Sequence, residues 1–324
     1  MQLSTAKRWI GPGVGTLLLG FLLWRLPWVE ALHTLGEVRL RWWIPALTLG
    51  AAGVCLRALR LHWVLGSGGS YFGVWRSVAL GYLGGLVLPA GGGELVKVRT
   101  LMRARDLDLF HGGAAVTLDR FFDLASLAFG LALLSGLQDL PGPVGSLLRI
   151  LGILLCFAGL FLVLFLARGK AGLARLAQAW AQRPRVAAKL ERLGAVLDEA
   201  EHLRAHGTWI RLMALQVSIT TIEVITASIA LRALPFTVGL PLWAGLQVLM
   251  FCSIAFALPL LPGAAGSLQV AYILALSPWK VPISQALAYS LLAHFGHVFV
   301  VMAHGGLAFL LGSETRGPGE PGLS

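Results

Sequence analysis

The sequence predicts an all-α polytopic integral membrane protein. Of its 324 residues, 57% are apolar or aromatic and only 13% are charged, a balance that no water-soluble core of this size requires. The apolar runs are long, unbroken and rich in Leu, Ala and Gly, whereas a membrane barrel would show alternating strands of about ten residues. Helices are the remaining structure that satisfies backbone hydrogen bonds inside a bilayer.

Six apolar runs are long enough to cross about 30 Å of hydrocarbon. They cover residues 9–28, 42–65, 110–137, 145–167, 208–231 and 282–312. Two further regions, 71–105 and 240–278, each contain an apolar run, a Pro and Gly interruption and a second short helical run. We expect these two regions to form re-entrant or broken helical hairpins.

The chain is predicted to be a single transmembrane domain with two halves. Residues 1–167 form the N-terminal half, 168–206 a connector, 207–312 the C-terminal half and 313–324 a disordered tail. The connector is rich in Arg and Lys, so the positive-inside rule places it in the cytoplasm, together with both termini. It is expected to form an amphipathic helix on the inner leaflet or, alternatively, a solvated linker.

The same rule orients the two hairpins. Four basic residues place the end of the first hairpin in the cytoplasm, namely Lys97, Arg99, Arg103 and Arg105. If both hairpins re-enter, they open from opposite faces, and the topology is inverted between the halves. The net charge of +11 then reflects membrane orientation, and we expect no nucleic-acid partner.

A short motif recurs in the two halves. Residues 88–95 read LPAGGGEL and residues 261–268 read LPGAAGSL. Inverted repeats whose broken helices meet near the membrane midplane hold the substrate site in many secondary transporters. The sequence therefore predicts an inverted repeat with a site between the two breaks.

The strongest candidate for chemistry is the run Asp119-Arg120-Phe121-Phe122-Asp123. A charge at the centre of a membrane helix costs about 2.5–3.5 kcal/mol, so its presence indicates a functional or structural role. The spacing of four puts both carboxylates on one helical face, where Arg120 can neutralise one of them and Glu94 can pair with Arg120. Two interpretations stay open: a lipid headgroup site, with Arg120 on phosphate, or a structural salt-bridge cluster.

Glycines at the two breaks form a candidate anion loop. In the first copy they are Gly91, Gly92 and Gly93, and in the second Gly263 and Gly266. Helix N-termini without side chains offer free N–H groups and a positive dipole end to a phosphate. Close helix packing through small residues is the alternative.

Other polar residues lie within the apolar runs. Arg57 and Arg60 share a face near the predicted end of a helix, so their side chains could reach the membrane interface by snorkelling. Alternatively, the two arginines together could bind lipid phosphates. Glu223 has no basic neighbour in its own helix, so it pairs across helices or carries a proton. His294 and His297 are candidates for a proton or polar relay, with helix packing as the alternative.

No catalytic, metal or cofactor site is predicted. Cys55, Cys156 and Cys252 lie in separate apolar stretches, and no carboxylate or Cys completes a metal set beside the histidines. No Ser-His-Asp or His-Glu-x-x-His signature is present. We therefore expect a protein that is not an enzyme.

The chain resembles the lysylphosphatidylglycerol synthase transmembrane region, a flippase-like family of bacterial and archaeal membrane proteins. Residues 57–63 (RALRLHW) carry part of the resemblance. Residues 88–99 and 119–123 look like the family's Leu-Pro-x-x-x-Gly-Glu followed by Glu-Arg-x-x-Asp, and 261–269 looks like its Pro-Gly-Gly-x-Gly-x-x-Glu.

The chain also departs from the family's pattern. Gly91 stands where a basic residue is often found, Asp119 replaces Glu, and Gln269 replaces the second-half Glu. The loss of that carboxylate suggests a different headgroup or a neutral hydrogen-bonding role for Gln269. We expect no soluble aminoacyltransferase domain in this protein.

The resemblance implies translocation of a lipid across the bacterial or archaeal cytoplasmic membrane. The lipid would be an aminoacyl-phospholipid or a polyprenyl-phosphate-linked lipid. The residues expected to bind its headgroup are Glu94, Asp119, Arg120, Asp123, Arg57, Arg60 and Gln269. Two alternatives are a membrane-embedded transferase with Asp119 or Glu223 as base, and a non-catalytic partner of a lipid- or glycan-modifying enzyme. The oligomeric state is not predicted.

Overall fold

The computed structural model confirms the all-α class over the residues that it describes, which contain no strand. The described residues are 26–66, 69–88, 91–137, 145–157, 208–235, 239–241, 243–257 and 266–313, with Gly20, Trp24 and Gly194. In chain order the helices are α1 (Trp28–Leu35), α2 (Leu40–Val64), α3 (Tyr71–Val87), α4 (Gly92–Arg105), α5 (Leu109–Leu137), α6 (Gly145–Phe157), α7 (Thr208–Leu231), α8 (Trp243–Ala257), α9 (Ser267–Leu276), a 3₁₀ turn (Ser277–Trp279) and α10 (Ile283–Ser313).

Four of these helices, α2, α5, α7 and α10, are long and apolar enough to cross a membrane. The shortest, α7, has 24 residues, or about 36 Å at 1.5 Å per residue. All four coincide with predicted crossings. The predicted crossing at 9–28 lies almost wholly outside the described residues, as do the connector 168–206 and the tail, and the crossing at 145–167 is described as far as Phe157.

Two pairs of shorter helices form hairpins in the regions where broken helices were expected. Helix α3 packs against α4, and α8 packs against α9. With 17, 14, 15 and 10 residues, these helices measure about 15–26 Å, less than the hydrocarbon thickness. The segments 89–90 and 258–265, which include Pro89 and Pro262, lie outside the described residues.

The two hairpins open toward opposite ends of the helix bundle. The first begins beside the C-terminal end of α2, where the rings of His62 and Tyr71 lie 5.9 Å apart. The second begins beside the C-terminal end of α7, against which Gly245 packs. Helices α2 and α7 run antiparallel, since the Arg39 amide at the start of α2 donates to the Ala233 carbonyl at 2.8 Å. The hairpins are therefore inverted relative to each other.

Two apolar cores occupy the two ends of the bundle. One includes Leu61 and Val78 and holds the open end of the first hairpin. The other includes Phe251 and Leu287 and holds the open end of the second. Helix α5 contributes to both cores, through residues up to 122 in one and from 127 in the other, so its middle lies between them.

Local hydrogen bonds set the ends of the first hairpin. The Ser70 hydroxyl accepts from the Phe72 amide at 3.1 Å and caps the start of α3. Asp106, in the left-handed conformation at φ 51°, ends α4. The Asp108 carboxylate then accepts from the His111 amide at 2.8 Å to start α5, and this bond holds the pKa of Asp108 below its usual range.

Candidate functional site

Charged side chains from four helices, α2, α4, α5 and α7, meet in the interior of the bundle. We define this charged network by its eight members: Arg57, Arg60, Glu94, Lys97, Asp119, Arg120, Asp123 and Glu223. Asp123 lies at the midpoint of α5, between the two apolar cores. Asp119 and Asp123 thus lie in the middle part of a helix that is long and apolar enough to cross a membrane, where charges are most costly.

The most enclosed part of the network is built around Asp119. Its two carboxylate oxygens accept from Arg60 Nε and from Lys97 Nζ, both at 2.8 Å. The side chains of Arg60, Lys97 and Asp119 are 0%, 2% and 4% exposed. Because these three groups are enclosed between the described helices, their contacts favour a structural role for this part of the network.

A second set of polar groups completes the surroundings of Arg60. Gln216 on α7 accepts a hydrogen bond from the Arg60 guanidinium, and its amide donates to Ser126 at 2.5 Å. Arg60 also lies over the ring of Phe122, 5.7 Å from the centroid. Together with the bonds to Asp119 and Asp123, these contacts give each of the three guanidinium nitrogens of Arg60 a hydrogen-bond partner.

The more open part of the network is built around Asp123. Its Oδ1 accepts from Arg57 at 2.7 Å and from Arg60 at 2.9 Å, and its Oδ2 accepts from Arg120 at 3.1 Å. Arg57 extends the chain to Glu223 on α7, at 2.5 Å. Arg57, Asp123 and Glu223 are 20–24% exposed, so this part of the network is reachable from outside the helix contacts.

The Arg120–Glu94 pair is the most accessible part of the network. Arg120 donates to Glu94 Oε1, and the two side chains are 44% and 35% exposed. The other oxygen, Glu94 Oε2, is buried and has no hydrogen-bond partner among the described residues. The expected pairing of Glu94 with Arg120 is present, and a donor that reached Oε2 would satisfy a buried acceptor.

Snorkelling is the wrong explanation for Arg57 and Arg60. Both guanidinium groups point into the bundle and pair with carboxylates of α5, and Arg60 has no exposed side-chain surface. The two arginine side chains point inward because their partners, Asp119 and Asp123, lie on the neighbouring helix α5. The residue pattern within α2 alone contains no information about that helix. Glu223 was expected either to pair with a residue of another helix or to carry a proton. In the structure it pairs with Arg57 of α2.

Lys97 belongs to the charged network, although the positive-inside rule groups it with the cytoplasmic basic residues of the first hairpin. Its ammonium group is enclosed between α4 and α5, whereas Arg99 and Arg103 on the same helix are exposed. A signal was present in the sequence, because Lys97 follows Glu94 by three residues and so lies on the same helical face. Gln216, which contacts the network through Arg60, carried no comparable signal.

The glycines at the first break have different roles. Gly91 precedes α4 in the left-handed conformation, at φ 82°, and a Cβ there would meet no atom of the described residues within 4 Å. Gly93 lets α4 approach α3, because a Cβ there would lie 2.5 Å from the Gly81 carbonyl oxygen. Close packing is therefore the function of Gly93, while Gly91 provides the backbone conformation of the break.

The second break is organised differently. Gly266, at φ 82°, starts α9, and its amide donates to the side-chain carbonyl of Gln269 at 2.7 Å. The Gln269 amide nitrogen lies 3.4 Å from His294, and His297 packs against the ring of Phe256. The described contacts of Gln269 cap and pack α9 and do not join it to the charged network. Gly263 lies outside the described residues.

The described residues contain no group of His, Cys, Asp or Glu that could hold a metal ion. Both carboxylates considered as a catalytic base are held in ion pairs, Asp119 with Arg60 and Lys97, and Glu223 with Arg57.

Comparison with known proteins gives one match. Residues 8–305 match the family model described as "Lysylphosphatidylglycerol synthase TM region". No curated protein and no solved structure matches the chain.

Proposed function

The chain belongs to the lysylphosphatidylglycerol synthase TM region family, and from this premise we propose that it translocates a lipid between the leaflets of a membrane. Membership of the family indicates a membrane protein of lipid modification or translocation. The proposed lipid is an aminoacyl-phospholipid or a polyprenyl-phosphate-linked lipid, and the proposed location is the cytoplasmic membrane of a bacterium or archaeon. Transport, rather than chemical turnover, is the proposed activity.

The observation that supports this proposal best is the partly open charged network in the middle of long apolar helices. A fully buried network would support a structural role alone, but Arg120 and Glu94 are 44% and 35% exposed. A phosphate can be bound by a guanidinium group in a bidentate manner, and an amine or hydroxyl can donate to the carboxylates. These are the groups that a polar lipid headgroup carries.

Apolar side chains beside the network fit the rest of a lipid. Leu95 follows Glu94 and is 68% exposed, and Leu124 follows Asp123 and is 49% exposed. A molecule whose headgroup reaches Arg120 would therefore place its chains against apolar surface. In the proposed mechanism, the headgroup exchanges partners with the Arg120–Glu94 and Arg57–Glu223 pairs while its chains stay in the hydrocarbon.

Reconstitution of the pure protein tests this function. Vesicles that contain the protein and an acyl-labelled lipid are treated with a membrane-impermeant quencher, which reports how fast the lipid reaches the outer leaflet. We expect Arg120→Ala to slow transport by about tenfold to a hundredfold, since a charge-assisted hydrogen bond contributes about 1.5–3 kcal/mol. Arg99→Ala, which removes an exposed arginine of α4, is the matched control and should leave the rate unchanged.

A folded Arg120→Ala protein with full transport activity would exclude Arg120 from the headgroup site. Chemical conversion of the lipid by the pure protein would favour a transferase instead. A stable complex with a lipid- or glycan-modifying enzyme, without transport or turnover by the protein alone, would favour the role of a non-catalytic partner.

A further inference from the structure

The charged network is balanced in charge. It contains four cations, Arg57, Arg60, Lys97 and Arg120, and four carboxylates, Glu94, Asp119, Asp123 and Glu223. Each cation lies in an ion pair with at least one of these carboxylates. The network formed by the described residues therefore has a net charge of zero.

From this balance we propose that the headgroup bound by the network is zwitterionic, with one phosphate and one amine and no net charge. The inference rests on the proposed function and specifies its substrate class. A net anion, such as a polyprenyl phosphate, would bring an uncompensated charge into a site at the middle of the bundle. A headgroup with a net positive charge would do the same with the opposite sign.

The Arg120–Glu94 pair has the geometry that a zwitterion needs. Its two groups carry opposite charges, lie side by side and are the most exposed of the network. When the pair opens, Arg120 can bind the phosphate and Glu94 can bind the amine, so that one ion pair is exchanged for two.

Glu94 has a further property that favours an amine. Its Oε2 is buried without a hydrogen-bond partner in the described part of the chain, and a buried acceptor of this kind is costly unless a donor arrives. An ammonium group supplies up to three donors. Gly91, three residues earlier, adds no side chain of its own at the start of α4, and a Cβ there would meet no described atom within 4 Å.

The inference is tested by measuring the transport of three phospholipids that differ in headgroup charge. The label is placed on an acyl chain, so that it leaves the charge of the headgroup unchanged. The three are phosphatidylethanolamine (zwitterionic), phosphatidylglycerol (anionic) and lysylphosphatidylglycerol (cationic). We expect the wild-type protein to move the zwitterionic lipid faster than the other two by roughly tenfold or more, since an uncompensated charge is the main penalty.

Charge-changing variants of the exposed pair provide a sharper test. Glu94→Gln leaves one positive charge in excess and should shift the preference toward phosphatidylglycerol. Arg120→Gln leaves one negative charge in excess and should shift it toward lysylphosphatidylglycerol. The double variant E94Q/R120Q restores the balance and should again prefer the zwitterion, at a lower rate. Arg99→Gln changes the charge outside the network and should leave the order of the three lipids as it is in the wild type.

The outcomes separate this inference from the function on which it rests. Transport by the wild type that favours the anionic or the cationic lipid overturns the zwitterionic assignment and leaves translocation intact. No transport of any of the three lipids contradicts translocation of a phospholipid. If a variant does not fold, binding of short-chain forms of the three lipids to the wild-type protein in detergent decides the order of preference by calorimetry.

Discussion

Lys97 and Arg99 lie two residues apart on α4 and have opposite surroundings. Lys97 is enclosed and donates to Asp119 at 2.8 Å, whereas Arg99 is exposed. A helix turns by about 200° over two residues, so neighbours of the same charge can face the bundle interior and its exterior. The stability of the protein should therefore depend on one of these charges and not on the other.

We expect Lys97→Met to destabilise the protein by about 3–5 kcal/mol, the usual cost of removing one partner of a buried ion pair. Arg99→Met, the control, should change stability by less than about 0.5 kcal/mol, as exposed substitutions do. The measurement is the free energy of unfolding in lipid bicelles. Similar losses for the two variants would show that Lys97 is not enclosed as described.

The sequence correctly predicted the relative positions of residues that belong to the same helix. The spacing of Asp119 and Asp123 indicated a shared face, and both carboxylates contact Arg60. The pairing of Arg57 with Glu223 joins residues 166 positions apart, and helical periodicity contains no information about which helix lies opposite. For that reason the arginines were assigned to the membrane surface although their partners are in the interior.

At the scale of elements, the two hairpins depend on backbone contact between their helices. Helices α3 and α4 approach closely enough that Gly93 faces the Gly81 carbonyl oxygen and the Gly85 amide. The sequence indicated these breaks because Pro and Gly interrupt apolar runs. It did not indicate the short helix α1, which lies between the predicted crossings at 9–28 and 42–65, or the capping of α9 by Gln269.

We expect Gly93→Ala to destabilise the first hairpin by about 1–3 kcal/mol, because its Cβ would lie 2.5 Å from a backbone oxygen that cannot rotate away. Gly85→Ala, in the partner helix, adds a Cβ that meets no atom of the described part of the chain within 4 Å. It should be neutral or stabilise by about 0.5–1 kcal/mol, since alanine favours helix. Thermal unfolding in detergent compares the two variants, and a greater loss for Gly85→Ala would contradict the packing of α3 on α4.

At the scale of the whole molecule, the opposed hairpins predict that their open ends lie on opposite sides of the membrane. Arg103 lies at the open end of the first hairpin and Lys280 follows the second, and both are exposed. In a protein whose native cysteines are replaced, Arg103→Cys and Lys280→Cys should react with a membrane-impermeant thiol reagent from opposite sides. Reaction of both from the same side would exclude an inverted arrangement.

The composition of the charged network has a consequence for biosynthesis. Translation at roughly 5–20 residues per second leaves roughly 8–33 s between Arg57 and Glu223, which are 166 residues apart. Once Asp123 has been made, and over the 100 residues that then remain before Glu223, about 5–20 s at the same rate, the nascent chain contains four cations of the network and three of its carboxylates. One cation of the network therefore has no protein carboxylate to balance its charge and must be solvated by water or by lipid phosphate. Insertion of α7 then brings Glu223 into contact with Arg57 and completes the network.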